Sequence, residues 1–464
     1  MHTMKKQKIY LICLMKRIEL TDNNLGSSGN VYNRKDVAEL FPIADKTISE
    51  LCKDNENLLI FPHCIEQSDD RIDSSTILSL RNTDDPDTIR INTGNVMGFI
   101  GVGNLKLKIQ SRFDEGCNDY LLHYMLQKVL SFNLFDLNHN NDQEDVFDLM
   151  MFMFPYFLKN ALRLGLYREY KTYKHNDSNL RGTINLSRHI KQNVPFVGNI
   201  SYSTREYSHD NDMTQLIRHT IEFMMTKRYG NAILNIDRET INNVKEILEH
   251  TTSYNKGERS NIISKNLRFK SHPYYTEYKP LQILCLQILR MEEVKYGERE
   301  DEICGILFDG AWLWEEYVNT ILVNRGFVHP QNKLGKGGIY LFEDIDYEGK
   351  KHKSGIRYPD FYKEDDFVLD AKYKRLGSYD NVSKVGRDDI HQLIAYMGNL
   401  NASRGGFISP LESKQQEIPT SHLKNSASTI SIFGIEICKT ASSYAEFCEK
   451  MAEKEQDFVE SLKL

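Results

Sequence analysis

Residues 357–375 read RYPDFYKEDDFVLDAKYKR. Two apolar and aromatic arms, 358–362 and 367–373, flank the polar segment Lys363-Glu364-Asp365-Asp366, which is the pattern of a β-hairpin. Alternation along the second arm puts Val368, Asp370 and Lys372 on one face and Leu369, Ala371 and Tyr373 on the other. Antiparallel pairing then brings Asp360 near Asp370. Two carboxylates beside one ammonium make an oxygen-lined site for a hard cation such as Mg2+, with the lysine placed to hold a water or a phosphoryl oxygen.

A carboxylate two residues before a lysine is common, and this chain has others at Glu169-Tyr170-Lys171, Glu277-Tyr278-Lys279 and Glu412-Ser413-Lys414. On its own, Asp370-Ala371-Lys372 reads better as a solvated cross-strand charge pair than as a site. Its company sets it apart. Upstream, 308–318 reads as an amphipathic helix with Leu313, Tyr317 and Ile321 on one stripe, and Glu315 and Glu316 sit on it as candidates for a third acidic ligand. Downstream, Gly386-Arg387-Asp388-Asp389-Ile390 opens a second helix on which Gln392 and Tyr396 stand four apart on a shared face. Apolar strands follow at 405–408 and 429–437. This order of helix, hairpin, helix, strand, strand resembles the PD-(D/E)xK nuclease superfamily, including the glutamine-and-tyrosine helix of its branch related to the RecB nuclease. The resemblance implies an α/β, restriction-endonuclease-like domain with a central mixed sheet flanked by helices.

Length and composition bound the rest. A chain of 464 residues is too long for one core and suggests two or three domains; we divide it into 1–85, 86–300 and 301–464, the first two forming an α+β region with β-rich and helical parts. Hydrophobic content of 40% and charged content of 27% are ordinary for a globular protein. The eight cysteines, at 13, 52, 64, 117, 285, 304, 438 and 448, include no CxxC, so neither a zinc ribbon nor a disulfide framework is indicated, and reduced thiols in a cytoplasm fit best. The apolar run at 9–15 is too short to span a bilayer and is followed at once by Lys16 and Arg17, so no membrane partner is expected. Met4 and Met15 are alternative starts, which leaves open whether the extreme N-terminus belongs to the natural product. A net charge of −6 argues against coating nucleic acid through a global basic field, and any DNA contact must be local.

In chain order, 34–52 carries a helical pattern including Val37, Leu40 and Phe41. Strands are expected at 88–92, 96–100 and 105–109, punctuated by Gly94, Gly98, Gly101 and Gly103. With no GxxxxGK[ST] following, these read as turn and strand glycines rather than a phosphate loop. A helix at 119–132 leads to an acidic, Asn-rich stretch at 136–145. The strongly apolar 146–166, interrupted by Pro155 and Lys159, reads as a buried helix pair.

The most basic stretch follows. Lys159, Arg163, Arg168, Lys171, Lys174, Arg181, Arg188 and Lys191 stand against only Glu169 and Asp177, with Tyr167, Tyr170 and Tyr173 interleaved. Bases that neutralise phosphates beside tyrosines that position a strand suit a DNA-tracking surface; a solvated basic face, or one that meets an acidic partner protein, fits as well. Then Glu206-Tyr207-Ser208-His209-Asp210-Asn211-Asp212 leads into a helix at 213–229 striped by Leu216, Ile217, Thr220 and Met224. Asp210 or Asp212 can cap it, which explains the cluster more simply than a His209 metal site. Further helices are expected at 239–250 and 279–296, separated by a basic polar loop at 256–270.

Taken together, Gly94-Asn95-Val96-Met97-Gly98-Phe99-Ile100, Ile109-Gln110-Ser111-Arg112-Phe113, Arg181-Gly182-Thr183-Ile184, 206–212, 309–318 and the Pro359-Asp360 and Asp370-Ala371-Lys372 signature resemble the McrC subunit family of McrBC-type restriction systems, particularly the branch that includes the LlaJI restriction component. The likeness covers roughly 85–440. It implies the endonuclease subunit of a bacterial phage-defence system, working in the cytoplasm. The partner would be a McrB-like AAA+ GTPase ring that reads double-stranded DNA, modified or otherwise specific, and whose hydrolysis this subunit stimulates; the absence of a Walker A sequence here agrees with that division of labour. By the same resemblance, Asp360 and Asp370 match metal-binding acids, Lys372 the catalytic lysine, Glu315 or its neighbour Glu316 the helix glutamate, and Gln392 and Tyr396 the helix pair. The metal would be Mg2+ or Mn2+, and 86–300 would meet the partner or DNA. Two rival readings stay open: a non-catalytic assembly factor that activates the GTPase, and a stand-alone RecB-related exonuclease.

Overall fold

The computed structural model describes residues 16–55, 58–61, 74–103, 105–114, 120–130, 145–227, 229–268, 273–294, 303–330, 337–345 and 350–464. The apolar run at 9–15, Cys13, Cys64, Cys117 and the stretch 136–144 lie outside them. The chain divides into two compact units, one built from Met1–Asn138 together with Glu300–Leu464, the other from His139–Arg299.

The first unit opens with β1 (Lys16–Thr21), β2 (Asn30–Asn33), α1 (Ile48–Asp54), β3 (Leu58–Phe61), β4 (Leu78–Asn82), β5 (Thr88–Thr93), β6 (Val96–Val102), β7 (Leu105–Gln110) and α2 (Tyr120–Leu130). The three strands expected between 88 and 109 all form. The helical pattern expected at 34–52 does not. Only a single 3-10 turn, Ala38–Leu40, and α1 are helical, because Pro42 and the left-handed Asp45 (φ +58°) interrupt it. Thr47 restarts the helix with a capping box, its side chain accepting from the Glu50 amide while the Glu50 carboxylate accepts from the Thr47 amide. Strands β2, β5 and β4 form an antiparallel sheet in that order.

The second unit contains α3 (Asp145–Arg163), β8 (Glu169–Asp177), β9 (Thr183–Ile184), α4 (Leu186–Gln192), β10 (Ile200–Ser208), α5 (Asp212–Met225), α6 (Gly230–Leu234), α7 (Arg238–His250), α8 (Arg259–Asn266) and α9 (Tyr278–Val294). Its sheet is antiparallel, ordered β8-β10-β9. Three readings are corrected here. The segment at 146–166 is one helix, since burial of Met151, Met153, Phe154 and Phe157 on both sides of Pro155 outweighs one lost hydrogen bond. The cap of α5 is Asn211, whose side chain accepts from the Met213 and Thr214 amides, rather than Asp210 or Asp212. The basic loop at 256–270 contains α8, which buries Ile262 and Ile263.

The chain then returns to the first unit with β11 (Ile303–Asp309), α10 (Gly310–Leu322), β12 (Ile339–Ile345), β13 (Lys351–Arg357), β14 (Phe361–Lys363), β15 (Phe367–Ala371), α11 (Arg387–Asn399), β16 (Arg404–Leu411), β17 (Thr420–His422), β18 (Thr429–Glu436) and α12 (Tyr444–Ser461). A sheet ordered β1-β7-β6-β11-β3 runs across the boundaries drawn at 85/86 and 300/301. β11 is its fourth strand, antiparallel to β6 and parallel to β3. Phe308 therefore belongs to a strand, and the helix begins one residue after Asp309, whose carboxylate accepts from the Ala311 amide at 2.8 Å. Where β6 meets β11 there is no room for a side chain: a Cβ on Gly98 (φ +130°) would lie 2.3 Å from the Ile306 carbonyl oxygen.

The second five-stranded sheet, ordered β14-β15-β16-β18-β17, is mixed, with β15, β16 and β18 parallel and the two edges antiparallel. Val368, Phe407, Ile430 and Ile432 point to one face and pack with Leu393, Tyr396 and Met397 of α11. On the other face Phe367 and Phe433 meet edge to face at 5.9 Å, and the buried Trp314 of α10 donates to the Ile408 carbonyl at 3.2 Å. Leu313, Tyr317 and Ile321, the expected stripe, are all buried. No helix among the described residues is long and apolar enough to cross a membrane.

Candidate functional site

The hairpin read from 357–375 forms, with a first arm shorter than expected. β14 pairs with β15 in the register Phe361↔Leu369, Tyr362↔Val368 and Lys363↔Phe367. The turn is closed by Asp365 in the left-handed region (φ +58°), where its side chain accepts from Asn401 at 3.0 Å. Continued by one residue, that register sets Asp360 opposite Asp370. The Asp360 carboxylate accepts from the Ala371 amide at 2.7 Å, and so is fixed to the very strand that carries Asp370 and Lys372.

Lys372 Nζ lies 2.8 Å from Asp370 Oδ2 and 3.3 Å from Asp389 Oδ1. Burial pushes Asp360 up to about 7, with the charge of Glu315 adding to it and that of Lys372 opposing. Burial likewise pushes Asp370 up to about 8, reinforced by Asp360 and opposed by Lys372. Burial works against the Lys372 ammonium, but Asp370 and Asp360 more than offset it and hold the lysine above its usual range. Asp389 is pushed up by burial and drawn down further by Lys374, whose ammonium is 2.6 Å from Oδ2, and by Lys372.

The remaining expected residues converge from the helices. Glu315, on α10, acts on Asp360 through its charge. His329 joins the two acids of α10 to the hairpin: its Nε2 lies 3.7 Å from Glu316 and 4.0 Å from Glu315, its Nδ1 is 2.7 Å from the Asp360 carbonyl oxygen, and its ring stacks on Phe361 at 5.0 Å. Burial disfavours a charged His329, yet Glu316, the Asp360 carbonyl and Glu315 raise it to about 9. On α11 the Gln392 amide donates to the Tyr396 hydroxyl at 2.9 Å. Burial raises Tyr396, the Gln392 bond opposes this, and the charges of Asp360 and Asp370 add to it. Neither His329 nor Asp389 was singled out from sequence. A histidine after Gly326-Phe327-Val328 has no spacing signal, and Asp389 looked like a helix-opening acid.

The donor set suits a hard divalent cation. Asp370 Oδ2 is sealed from solvent, with the Lys372 ammonium 2.8 Å away. Two carboxylates raised by burial are what a bound cation relieves, and Mg2+ commonly uses one or two carboxylates and keeps waters for its other positions. No cage of three or more His, Cys, Asp or Glu side chains is preformed among the described residues.

In the second unit the eight bases separate by role. Arg188 is structural, donating to the carbonyls of His175 (2.6 Å) and Tyr202 (2.7 Å). Lys159 pairs with Asp237, Lys171 donates to the Asp210 carbonyl at 3.0 Å, and Arg168 donates to His209 Nε2 at 2.8 Å. Arg163, Arg168, Lys174, Arg181 and Lys191 are exposed. So are Tyr170 and Tyr207, whose rings stand 4.9 Å apart. Burial lowers His209, which packs against His250.

Fold and site together define a mixed α/β protein with a buried aspartate, a half-buried one and a lysine on a hairpin at the edge of a sheet. A family model described as the McrBC 5-methylcytosine restriction system component matches residues 91–410, and the chain belongs to that family. No curated protein matches it. Among solved structures, it is similar to a chain of a refined half-complex from the tetradecameric assembly of Thermococcus gammatolerans McrB AAA+ hexamers with bound McrC, at 16% identity over 94% of this chain and 100% of that one, TM-score 0.46. A chain of the cryo-EM structure of the Thermococcus gammatolerans McrBC complex matches at 16% identity over 66% of this chain and 87% of that one, TM-score 0.31.

Proposed function

We propose that this chain is the McrC-type nuclease subunit of its restriction system, hydrolysing DNA phosphodiester bonds at a PD-(D/E)xK centre with Mg2+ or Mn2+, in the cytoplasm, under the control of a McrB-like AAA+ GTPase ring. The observation that carries this is the Asp360, Asp370 and Lys372 constellation in a chain of the McrBC family. Asp360 and Asp370 would hold the cation, with Glu315 as the helix acid near them. When bound, the cation offsets phosphodiester charge and lowers the pKa of the attacking water. Lys372 orients that water and balances charge that develops on the phosphoryl oxygens. Gln392 and Tyr396 present polar groups from the α11 side, suited to the scissile phosphate's surroundings. The exposed bases of the second unit, with Tyr170 and Tyr207, supply a surface for the DNA backbone.

The test is cleavage of methylated and unmethylated plasmid by this protein, alone and with the neighbouring-gene GTPase, GTP and Mg2+, wild type beside Lys372→Ala and Asp370→Ala. Cutting that needs the full mixture and is lost in both variants is the expected result. Cutting by a folded Asp370→Ala preparation free of contaminating nuclease would remove the assignment.

A further inference from the structure

We infer that Arg112 is a positioning residue for Lys372, acting through the carbonyl and ring of Tyr373; the inference rests on the nuclease reading above. Strand β15 ends at Ala371. Lys372 keeps one last sheet bond, its amide donating to the Ile408 carbonyl at 2.8 Å, and the chain then turns sharply, with the Lys374 amide donating back to the Lys372 carbonyl at 2.8 Å. The backbone of a lysine at the end of a strand is steadied on its far side by what grips the next residue, and here that grip comes from the other sheet of the same unit.

Arg112 lies just beyond β7. Its guanidinium donates to the Tyr373 carbonyl and lies 4.5 Å from the centre of the Tyr373 ring. It is itself fixed: its amide donates to Asp22 Oδ1 at 2.6 Å, and Nη1 is 3.0 Å from Asp22 Oδ2 and 3.3 Å from Asn95 Oδ1. The Asp22 side chain has no exposed surface and that of Arg112 is 10% exposed, so the pair does not swing with solvent. The Tyr373 hydroxyl shares a 2.6 Å hydrogen bond with Ser111, and Phe113 meets its ring edge to face at 5.0 Å. Behind the ring there is no slack, since a Cβ on Gly310 would sit 2.7 Å from Tyr373 Cε1. Thus Ser111, Arg112 and Phe113, motif residues that the nuclease chemistry leaves without a role, meet at the residue that follows Lys372, with Asn95 behind Arg112. An arginine suits this because one planar fork satisfies Asp22, Asn95 and a carbonyl while stacking on a ring; a lysine keeps the charge and loses the fork.

Arg112→Lys is the variant to test, because it keeps a cation beside the buried Asp22 carboxylate. In the full mixture with GTP and Mg2+, kcat for plasmid cleavage should fall on the order of 10- to 100-fold, while KM for DNA and Mn2+ binding measured calorimetrically stay at wild-type values and the melting temperature falls only by what the lost fork contributes. Arg112→Ala gives an independent readout: added methylguanidinium should recover part of the lost kcat. The inference is overturned if Arg112→Lys cuts within about twofold of wild type while Lys372→Ala is dead, an outcome that leaves the nuclease reading standing. It is equally overturned if Arg112→Lys loses Mn2+ binding along with activity and methylguanidinium recovers nothing, since Arg112 is then merely structural. If Lys372→Ala itself cuts like wild type, the nuclease reading fails and this inference falls with it.

Discussion

Lys372 Nζ stands 3.3 Å from Asp389 Oδ1, so the strand lysine is held between its neighbour Asp370 and an acid on the first turn of α11. The other Asp389 oxygen is occupied by Lys374 at 2.6 Å. Asp389 thus fixes the direction in which Lys372 points without being placed to hold a cation itself. Asp389→Asn should lower kcat for DNA cleavage by roughly tenfold with little change in KM for DNA, the signature of a lost orientation rather than lost binding. Initial rates across a DNA titration check this, and an unchanged kcat would show that Asp370 alone suffices to hold the lysine.

The buried acids set a pH dependence for the cation-free protein. Asp360 at about 7 and Asp370 at about 8 both lie above the ordinary 3.8, so the folded state binds their protons more tightly than the unfolded chain does. Their contribution is fully present below the unfolded value and is lost as pH rises through the folded ones. His329, raised to about 9 from 6.5, acts in the same direction and is lost as pH approaches 9. Melting temperature measured in EDTA should therefore decline between pH 7 and 9, less steeply in Asp370→Asn. A curve that is flat or rising in that window for the wild type would contradict the raised proton affinity of the two acids.

His329 ties two elements together, reaching from the Glu315 and Glu316 side chains to the Asp360 carbonyl while its ring covers Phe361. His329→Ala removes a stacked ring and leaves the Asp360 carbonyl without that partner, at about 1–3 kcal/mol for the unpaired group. We expect a lower denaturation midpoint and weaker Mn2+ binding together, because the same contact supports the hairpin and the placement of Asp360. His329→Gln, which can keep one hydrogen bond, should recover part of both; loss of neither in the alanine variant would make the histidine a bystander.

The hairpin, the α10 stripe and the Gln392 and Tyr396 pair were legible in the sequence because each is local. Alternation fixes faces within a strand, and a spacing of four fixes a helix face. Contacts between distant segments were not legible. The last two residues of β11, Phe308 and Asp309, looked like the start of a helix because they abut Gly310-Ala311-Trp312, and only the pairing of β11 with β6, some 200 residues earlier, makes them strand. A separation of 261 residues likewise hid Arg112 from Tyr373, although both stood in motifs that had been noticed. Asn211 was passed over as a cap in favour of its acidic neighbours, since all three residue types cap well and only the backbone geometry selects one. The pattern at 34–52 misled because apolar spacing carried on through Pro42, whose cost local periodicity does not register.

Two glycines eight residues apart should respond to alanine with opposite signs. Gly406 is in β16, paired with Leu369 on one side and Ser431 on the other. A Cβ there would lie 2.6 Å from Phe433 Cε2 and 3.0 Å from Leu369 Cδ2. Both are buried, and Phe433 is already engaged with Phe367, so neither can withdraw into solvent. Gly406→Ala should destabilise by about 1–3 kcal/mol as an overpacked core position, and because Leu369 directly precedes Asp370, cleavage should suffer with it. Gly398 lies near the end of α11 with nothing within 4 Å of its Cβ position and with an ordinary helical φ. Alanine there should stabilise by about 0.5–1 kcal/mol, by restricting the unfolded chain and favouring the helix. Urea titrations of both variants beside wild type decide the matter. If both shift the midpoint the same way, the close approach of Phe433 to the β16 backbone is not what keeps position 406 a glycine.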